Sequence, residues 1–458
     1  MEFVHRSYEK GRTIAAVATP PGEGGIAVIR LSGDEAFMLA QKIFSGNIAS
    51  YATHTAHCGK ILDNKGKPID EVLLLIMRGS RSFTGEDTIE IHCHGGSLIT
   101  RKVLERVLEV GAHPALPGEF SFKAFINGKI DLTQAEAIQE VISSKNKKAL
   151  QCAQDALQGH IKTKISHLQT TLTHIAAIFE AWVDYPEEGL EFASYEDILI
   201  ILEEAIHQLG TLCQTYHEGK IVKEGLSLCL LGSPNAGKSS LMNALSGRER
   251  AIVTNIAGTT RDTLEEELSL GELHFTLTDT AGIRETDEII EQEGIKRSFL
   301  AAEKADIILL IVDIQNGWNE EEQRLLSKLP QSKTLLIWNK IDTTLETPSY
   351  CTHPHQIFIS AKTGQGLESL KQGIYHLIEK KEFISNDQLI ITNQRHYQAL
   401  MQAYKALEAA LTGLKENLSP EFLSIEIKSA LHELGTIIGT NISEDILNAI
   451  FSKFCVGK

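Results

Sequence analysis

The densest chemistry in the sequence lies at Gly232-Ser233-Pro234-Asn235-Ala236-Gly237-Lys238-Ser239, which fits G-x-x-x-x-G-K-[ST] between a strand-like run at 226–231 and a helical pattern at 240–245. Glycines at this spacing allow a loop whose backbone N–H groups cradle phosphates. Lys238 then reaches the β/γ oxygens, and the Ser239 hydroxyl is placed to ligate Mg²⁺. Asp279-Thr280-Ala281-Gly282 follows a strand-like run at 275–278. That position puts a carboxylate at a strand end near the metal, and a flexible glycine where a γ-phosphate is sensed.

A base reader follows further along the chain. Asn339-Lys340-Ile341-Asp342 comes after a strand-like run at 335–338. The Asp342 carboxylate can accept hydrogen bonds from guanine N1–H and the exocyclic amine, a pair of donors that adenine lacks there. A site built around that acceptor rejects adenine, because the carboxylate would be left unpaired. Ser360-Ala361-Lys362, after the run at 357–359, completes the pocket. The nucleotide expected is GTP, and an ATPase is disfavoured by Asp342.

One position departs from the usual hydrolytic apparatus. Where Ras-type GTPases place a water-orienting glutamine, directly after the glycine of D-T-A-G, this chain has Ile283. An apolar side chain cannot orient water, so either hydrolysis is feeble or another group supplies the function. Asn235 has a side-chain oxygen able to ligate a monovalent cation, and Gly258-Thr259-Thr260-Arg261-Asp262 offers several more oxygens. Potassium could stand where an arginine finger usually does. Among Glu285, Asp287, Glu288, Glu291 and Glu293, one is a candidate for positioning water, and the others read as solvated surface.

The elements that must carry these loops can be read from periodicity. From 13 to about 128, short apolar runs such as 26–31 and 72–77 alternate with turn signals at Pro20-Pro21-Gly22, Gly24-Gly25 and Pro117-Gly118, the pattern of a mixed α/β domain. From 131 to about 216 apolar residues recur every third or fourth position, with an interruption near Pro186. Apolar strands then alternate with helical patterns from 226, implying a parallel sheet with helices on both faces. After about 382 helical periodicity returns, broken near Ser419-Pro420. The expected architecture is a multidomain α/β + α chain: an N-terminal mixed α/β domain over 1–127, a helical domain over 128–219 and 384–458, and an inserted P-loop, Ras-like G domain with a doubly wound sheet over 220–383.

Bulk properties bound the alternatives. A length of 458 residues suits about three domains. Hydrophobic residues at 42% and charged residues at 23% exclude disordered and membrane compositions, and a net charge of -16 argues against coating nucleic acid with the whole surface. Seven cysteines without a C-x-x-C pair read as reduced thiols. The first residues lack a signal-peptide h-region, and the longest apolar runs are strand-sized. A cytoplasmic protein without integral membrane contact is expected.

These motifs, together with Thr19-Pro20-Pro21-Gly22, Phe83-Thr84-Gly85-Glu86-Asp87, Pro117-Gly118-Glu119-Phe120, Asn127-Gly128-Lys129 and Cys455-Val456-Gly457-Lys458, closely resemble the MnmE (TrmE) family of bacterial and organellar tRNA-modification GTPases. The resemblance runs from Thr13 to Lys458. It implies an N-terminal domain that binds a tetrahydrofolate derivative (5-formyl- or methylenetetrahydrofolate) and makes a homodimer, with the G domain inserted in the helical one. It also implies a flavoprotein partner, MnmG, in a heterotetramer. The joint reaction installs an aminomethyl or carboxymethylaminomethyl group at C5 of the wobble uridine of certain tRNAs, with tRNA as substrate.

Carried over position by position, the resemblance assigns Arg30, Glu90, Lys129 and Lys458 to folate. It assigns Ser239 and Thr260 to Mg²⁺, and Asn235, Thr254, Ile256 (through its carbonyl) and Thr259 to K⁺. Glu291 is the water-positioning glutamate, and hydrolysis depends on potassium-dependent pairing of two G domains. Nucleotide contacts are Asn235, Ala236, Gly237, Lys238, Ser239 and Ser240; Thr254, Asn255, Ile256, Ala257, Gly258, Thr259 and Thr260; Asp279, Thr280, Ala281 and Gly282; Asn339, Lys340 and Asp342; and Ser360, Ala361 and Lys362. Lys238, Glu291 and Cys455 are the candidates for catalysis. Cys455 is read either as a thiolate activated by nearby Lys458 or as a buried helix-end cysteine.

Departures from the family pattern are Ser233, where a basic residue is common, and Cys93 in Ile91-His92-Cys93-His94-Gly95-Gly96. With His54, His57 and Cys58 nearby in sequence, that segment reads either as a metal site or as structural packing, and packing is preferred because alternate strand residues face opposite ways. Lys145, Lys147 and Lys148 are read equally well as a tRNA surface or as a solvated helix face. The alternative function is a regulatory GTPase of ribosome assembly without one-carbon chemistry.

Overall fold

In a computed structural model of the chain, the structure describes residues 11–184, 194–246, 267–270, 273–277, 302–318, 320–344, 353–379 and 389–458. The first sheet has strand order β3-β4-β5-β2-β1-β6, with β1 at Ile14–Val17, β2 at Gly24–Ser32, β3 at Thr55–Leu62, β4 at Pro68–Met77, β5 at Thr88–Gly95 and β6 at His113–Pro114. All pairings are antiparallel except β1 with β6. The sequence alternation appears directly as sidedness. Ala27, Ile29 and Leu31 of β2, Val72, Leu74 and Ile76 of β4, and Ile89, Ile91 and Cys93 of β5 share one core with helices Ala36–Gln41 and Ser97–Glu109.

The register places Arg30 opposite Glu90 on the other face. Cys93 lies in the core, with burial pushing its thiol pKa up. His92 contacts Glu90 at 3.4 Å and His94 contacts Asp70 at 2.7 Å, both on the opposite face. Among the described residues no group of three or more His, Cys, Asp or Glu side chains converges as a metal site.

One charge pair is buried beside this core. Lys123, on helix Glu119–Ile126, is 1% exposed and meets Glu86 at 2.5 Å. Its ammonium also donates to the Arg12 carbonyl. Burial of a lysine is tolerated only with such partners. Ser32, Ser82, Thr84 and Thr88 form a buried hydroxyl cluster next to it.

The expected helical run appears as helices Leu132–Ser143, Lys147–Leu157, His160–Asp184 and Tyr195–Glu224. In His160–Asp184 the buried residues Ile161, Ile165, Leu168, Leu172, Ile175 and Phe179 trace one stripe. That helix packs on Pro420–Ile438. The latter starts at an extended Ser419 with Pro420 in its first turn, and stops at Gly439 with φ of 90°, so the sequence punctuation sets both ends. The expected interruption at Pro186 lies outside the described residues.

The second sheet has order β12-β11-β10-β7-β9-β8, with β7 at Leu226–Leu231, β8 at Glu267–Leu270, β9 at Leu273–Leu277, β10 at Ile307–Asp313, β11 at Thr334–Asn339 and β12 at Gln356–Phe358. Every pairing is parallel except β8 with β9. One face packs on helices Lys238–Ser246 and Leu367–Glu379 through Leu241, Leu245, Leu370 and Ile374. The other face, with Cys229, Ile308, Leu310, Leu336 and Trp338, packs against Ala302, Ala305 and Leu329. This is the doubly wound sheet expected from the alternation, with strand ends shifted by one or two residues.

The chain divides into two compact units, one of residues 1–143, 153–210 and 398–458, the other of residues 144–152 and 211–397. The second unit is therefore inserted in the sequence of the first. Three of its four borders fall inside the helices Lys147–Leu157, Tyr195–Glu224 and Gln394–Lys415, and the fourth falls at the end of helix Leu132–Ser143.

Candidate functional site

Strand β7 ends at Leu231, and the loop that follows takes backbone angles that its glycines permit. Gly232 has φ of 150° and Gly237 has φ of 96°. A Cβ on Gly237 would lie 2.2 Å from the Asn339 amide nitrogen, so the position requires glycine for packing as well as conformation. Asn235 is a non-glycine residue in the left-handed region, with φ of 62°, and it is exposed. Lys238 opens the following helix and folds its ammonium back onto the Gly232 and Ser233 carbonyl oxygens, at 2.7 and 2.9 Å. Burial holds its pKa below the usual lysine range. Ser239 and Ser240 are exposed in the first turn of the helix. A hydroxyl there fits a Mg²⁺ ligand, and the loop and helix terminus fit a phosphate chain.

The base pocket grows from the ends of β11 and β12. Asn339 donates to the Ala236 carbonyl at 2.8 Å and accepts from the Ala361 amide at 3.0 Å, strapping the phosphate loop to the 360–362 turn. Lys340 takes a left-handed backbone and contacts Asp313 at 2.6 Å. Asp342 stays exposed while its carboxylate accepts a hydrogen bond from the Ser360 hydroxyl at 2.6 Å. That hydrogen bond first, then a backbone hydrogen bond from Asp342 itself, and then the charges of Lys362 and Lys340 hold its pKa below the ordinary aspartate value, against a smaller opposing effect of burial. The result is an ionised acceptor at the pocket mouth, as guanine recognition needs.

Thr254, Asn255, Ile256, Ala257, Gly258, Thr259, Thr260, Asp279, Thr280, Ala281, Gly282, Ile283 and Glu291 lie outside the described residues. The described members, Asn235 through Ser240, Asn339, Lys340, Asp342 and Ser360 through Lys362, come together around the ends of the parallel strands. Two further residues join them that motif reading missed. Asp313 ends β10, and Glu322, 1% exposed, accepts from the Ser233 hydroxyl at 3.4 Å. Asp313 had a signal, a lone carboxylate closing an apolar run; Glu322 sits in an acidic stretch that reads as surface.

A second constellation stands on the first sheet. Arg30 donates to Glu90 through Nε at 2.8 Å and Nη2 at 2.7 Å, and through Nη1 to the Gly457 carbonyl at 3.1 Å. Its guanidinium lies 5.6 Å from the Phe120 ring centre. The C-terminal tetrapeptide is seated here by further contacts. The Gly118 amide donates to the Cys455 carbonyl at 3.3 Å, and a Cβ on Gly457 would fall 2.4 Å from the Val17 carbonyl oxygen. Cys455 is exposed, which removes the buried helix-end alternative for its thiol. Lys129 is exposed, with its ammonium on the Ser80 carbonyl at 2.8 Å. Of the basic cluster, Lys148 is committed to Glu218 at 2.6 Å.

Known families match the chain over both regions. Residues 13–129 match the GTP-binding protein TrmE N-terminus, and residues 132–455 match the MnmE helical domain. The tRNA modification GTPase MnmE of Protochlamydia amoebophila (strain UWE25) is 55% identical over 458 residues, covering 100% of both chains. The chain belongs to the MnmE (TrmE) family of tRNA modification GTPases. The MnmE of Chlamydia caviae is 45% identical over 449 residues, covering 98% of this chain and 100% of its own. Among solved structures, the G domain of the T. maritima FeoB iron transporter is 29% identical over 33% of this chain and 98% of its own, with a TM-score of 0.26. Like the MnmE relatives, the chain is a GTPase that acts in tRNA modification. No helix among its described residues is long and apolar enough to cross a membrane.

Proposed function

We propose that this chain is a potassium-activated GTPase. With the flavoprotein MnmG it adds a carboxymethylaminomethyl or aminomethyl group at C5 of the wobble uridine of certain tRNAs, drawing the one-carbon unit from methylenetetrahydrofolate. The observation that carries the reading is the coexistence of an ionised guanine reader with the Arg30–Glu90 pair that grips the C-terminal tail. A switch that only binds partners has no use for the second constellation.

At the nucleotide site, Lys238 and the loop amides hold the phosphates, Ser239 and Thr260 hold Mg²⁺, and Asp342 reads the base. Lys238 gives up the carbonyls of its own loop when phosphate oxygens arrive, so its charge is used where negative charge builds up. Ile283 cannot orient water, so the reading assigns that task to Glu291. It assigns the missing positive charge to potassium held by Asn235, Thr254, the Ile256 carbonyl and Thr259 in a pair of G domains. The exposed, left-handed Asn235 supports this, since its side chain is not consumed within the loop's own packing.

At the N-terminal site, Arg30, Lys129 and Lys458 supply cations for carboxylates, and Glu90 supplies an acceptor for ring N–H groups. The residues fit a folate on chemical grounds: the Arg30–Glu90 pair is partly exposed and Lys129 is exposed. Methylenetetrahydrofolate, when bound, would supply the one-carbon unit. Cys455, exposed and close in sequence to Lys458, is the thiol proposed to act on the uridine. The protein works as a homodimer in the cytoplasm, with 1–127, 128–219, 220–383 and 384–458 as its functional segments.

Mass spectrometry of wobble nucleosides tests the whole reading. Cells lacking this protein are expected to lose the modified uridine and regain it on complementation, and an unchanged nucleoside profile overturns the proposal. Cys455→Ser tests the thiol: full modification by that variant removes the nucleophile role.

A further inference from the structure

We infer that Asp313 is a positioning residue of the nucleotide site, acting through Lys340 to set affinity for the purine without choosing between purines. The inference rests on the guanine pocket proposed above. Asp313 closes β10 after six buried apolar residues and is itself only 4% exposed. A carboxylate so placed needs partners for both oxygens. Its Oδ1 accepts the Gln315 amide at 3.0 Å, and its Oδ2 accepts the Lys340 ammonium at 2.6 Å.

Lys340 is where this matters. Its backbone is left-handed, with φ of 68° and ψ of 34°, a region that a residue with a Cβ rarely adopts. The residue before it, Asn339, is tied to the phosphate loop at Ala236, and Asp342, two residues on, carries the guanine reader. The side chain between these two anchors would otherwise be a flexible stem with many rotamers. Asp313 fixes its far end, and the strand register fixes Asp313, because it pairs with Asn339 across β10 and β11. The methylene stem held in this way offers an apolar flank to the flat of a base whose edge Asp342 reads. A flank of that kind senses the presence of a purine ring and is indifferent to its exocyclic groups.

That division of labour gives a signature that general destabilisation lacks. Calorimetric titration of the full chain with GDP and with IDP, which lacks the exocyclic amine, is made for wild type, Asp313→Asn, Lys340→Met, Asp342→Asn and the Asp313→Asn/Lys340→Met double variant. Asp313→Asn is expected to weaken both nucleotides by the same factor, about tenfold. In the Lys340→Met background it is expected to have no further effect, because its route to the nucleotide is gone. Additive losses, or a loss confined to GDP, overturn the inference. Should Asp313→Asn alone fail to fold, the double variant leaves no unpaired charge at the pair and is compared with Lys340→Met: equal affinities support the inference and a further loss overturns it. Asp342→Asn is the separate control. If it leaves the preference for GDP over IDP intact, the guanine pocket fails, whatever the Asp313 variants do.

Discussion

In the first sheet, Val72, Leu74 and Ile76 of β4 are buried while Leu73 between them is 49% exposed; in the second, every residue of β10 is buried. The contrast decides where each region can do chemistry. A sheet fully covered on one face and only in part on the other leaves alternate positions of its strands available beside Phe120, so Arg30 and Glu90 stand on neighbouring strands and meet through the register itself. A sheet covered on both faces has no such positions. Its candidate functional residues are displaced to the carboxyl ends of the strands, Lys238 after β7, Asn339 to Asp342 at the end of β11, and Ser360 after β12. Charge follows the same division: the first region carries its Lys123–Glu86 pair in the interior, while the second carries Asp313–Lys340 at a strand end.

The largest effect that would sharpen the contrast is on folding. Lys123→Met removes the buried cation that Glu86 contacts and is expected to destabilise the chain by about 3–5 kcal/mol in denaturant melts. Removing the exposed Lys415–Glu203 pair is expected to cost under about 1 kcal/mol. Equal losses would show that burial does not set the interior pair apart. Next in size, Lys238→Ala should slow GTP hydrolysis by about 100-fold or more, measured by phosphate release, with formyltetrahydrofolate binding unaltered. Arg30→Ala should do the reverse, weakening formyltetrahydrofolate by about tenfold in calorimetry while GDP affinity stays within error. If either variant damages both sites, the separation of the two chemistries fails.

The smallest effect concerns pH. Burial lowers the Lys238 pKa in the nucleotide-free chain, so its charge is a burden to the fold below that lowered value, and the burden lifts as pH rises through it. Phosphate favours the ammonium, so binding restores the proton. GDP affinity should fall severalfold as pH rises through the lowered value, with proton uptake visible in buffers of different ionisation enthalpy. Asp342, whose pKa is lowered, keeps its charge down to strongly acidic pH and should add no dependence near neutrality. Proton release on binding would contradict the Lys238 assignment.

Features that need only neighbouring residues were readable in the sequence. The loop before Lys238, the Asn339 to Asp342 turn and the Ser419-Pro420 break all follow from local requirements of turn geometry and hydrogen bonding, and each sits at the strand or helix end that those requirements imply. Contacts closed by the fold were not. Arg30 and Gly457 lie 427 residues apart, and no spacing rule predicts that a guanidinium on a strand holds a carbonyl near the C-terminal end. Glu322 gave no sign of burial, because one acidic residue in an acidic helix looks like its neighbours. Three of the four unit borders were obscured for a related reason: they fall within continuous helices, where periodicity does not change.

The most direct test of the proposed mechanism is the initial rate of GTP hydrolysis as a function of protein concentration, in KCl and in NaCl. With Ile283 in place of a water-orienting side chain, the rate per chain should rise with concentration in KCl and run at least about tenfold above that in NaCl. Equal rates in the two salts, independent of concentration, would contradict potassium-dependent pairing of G domains.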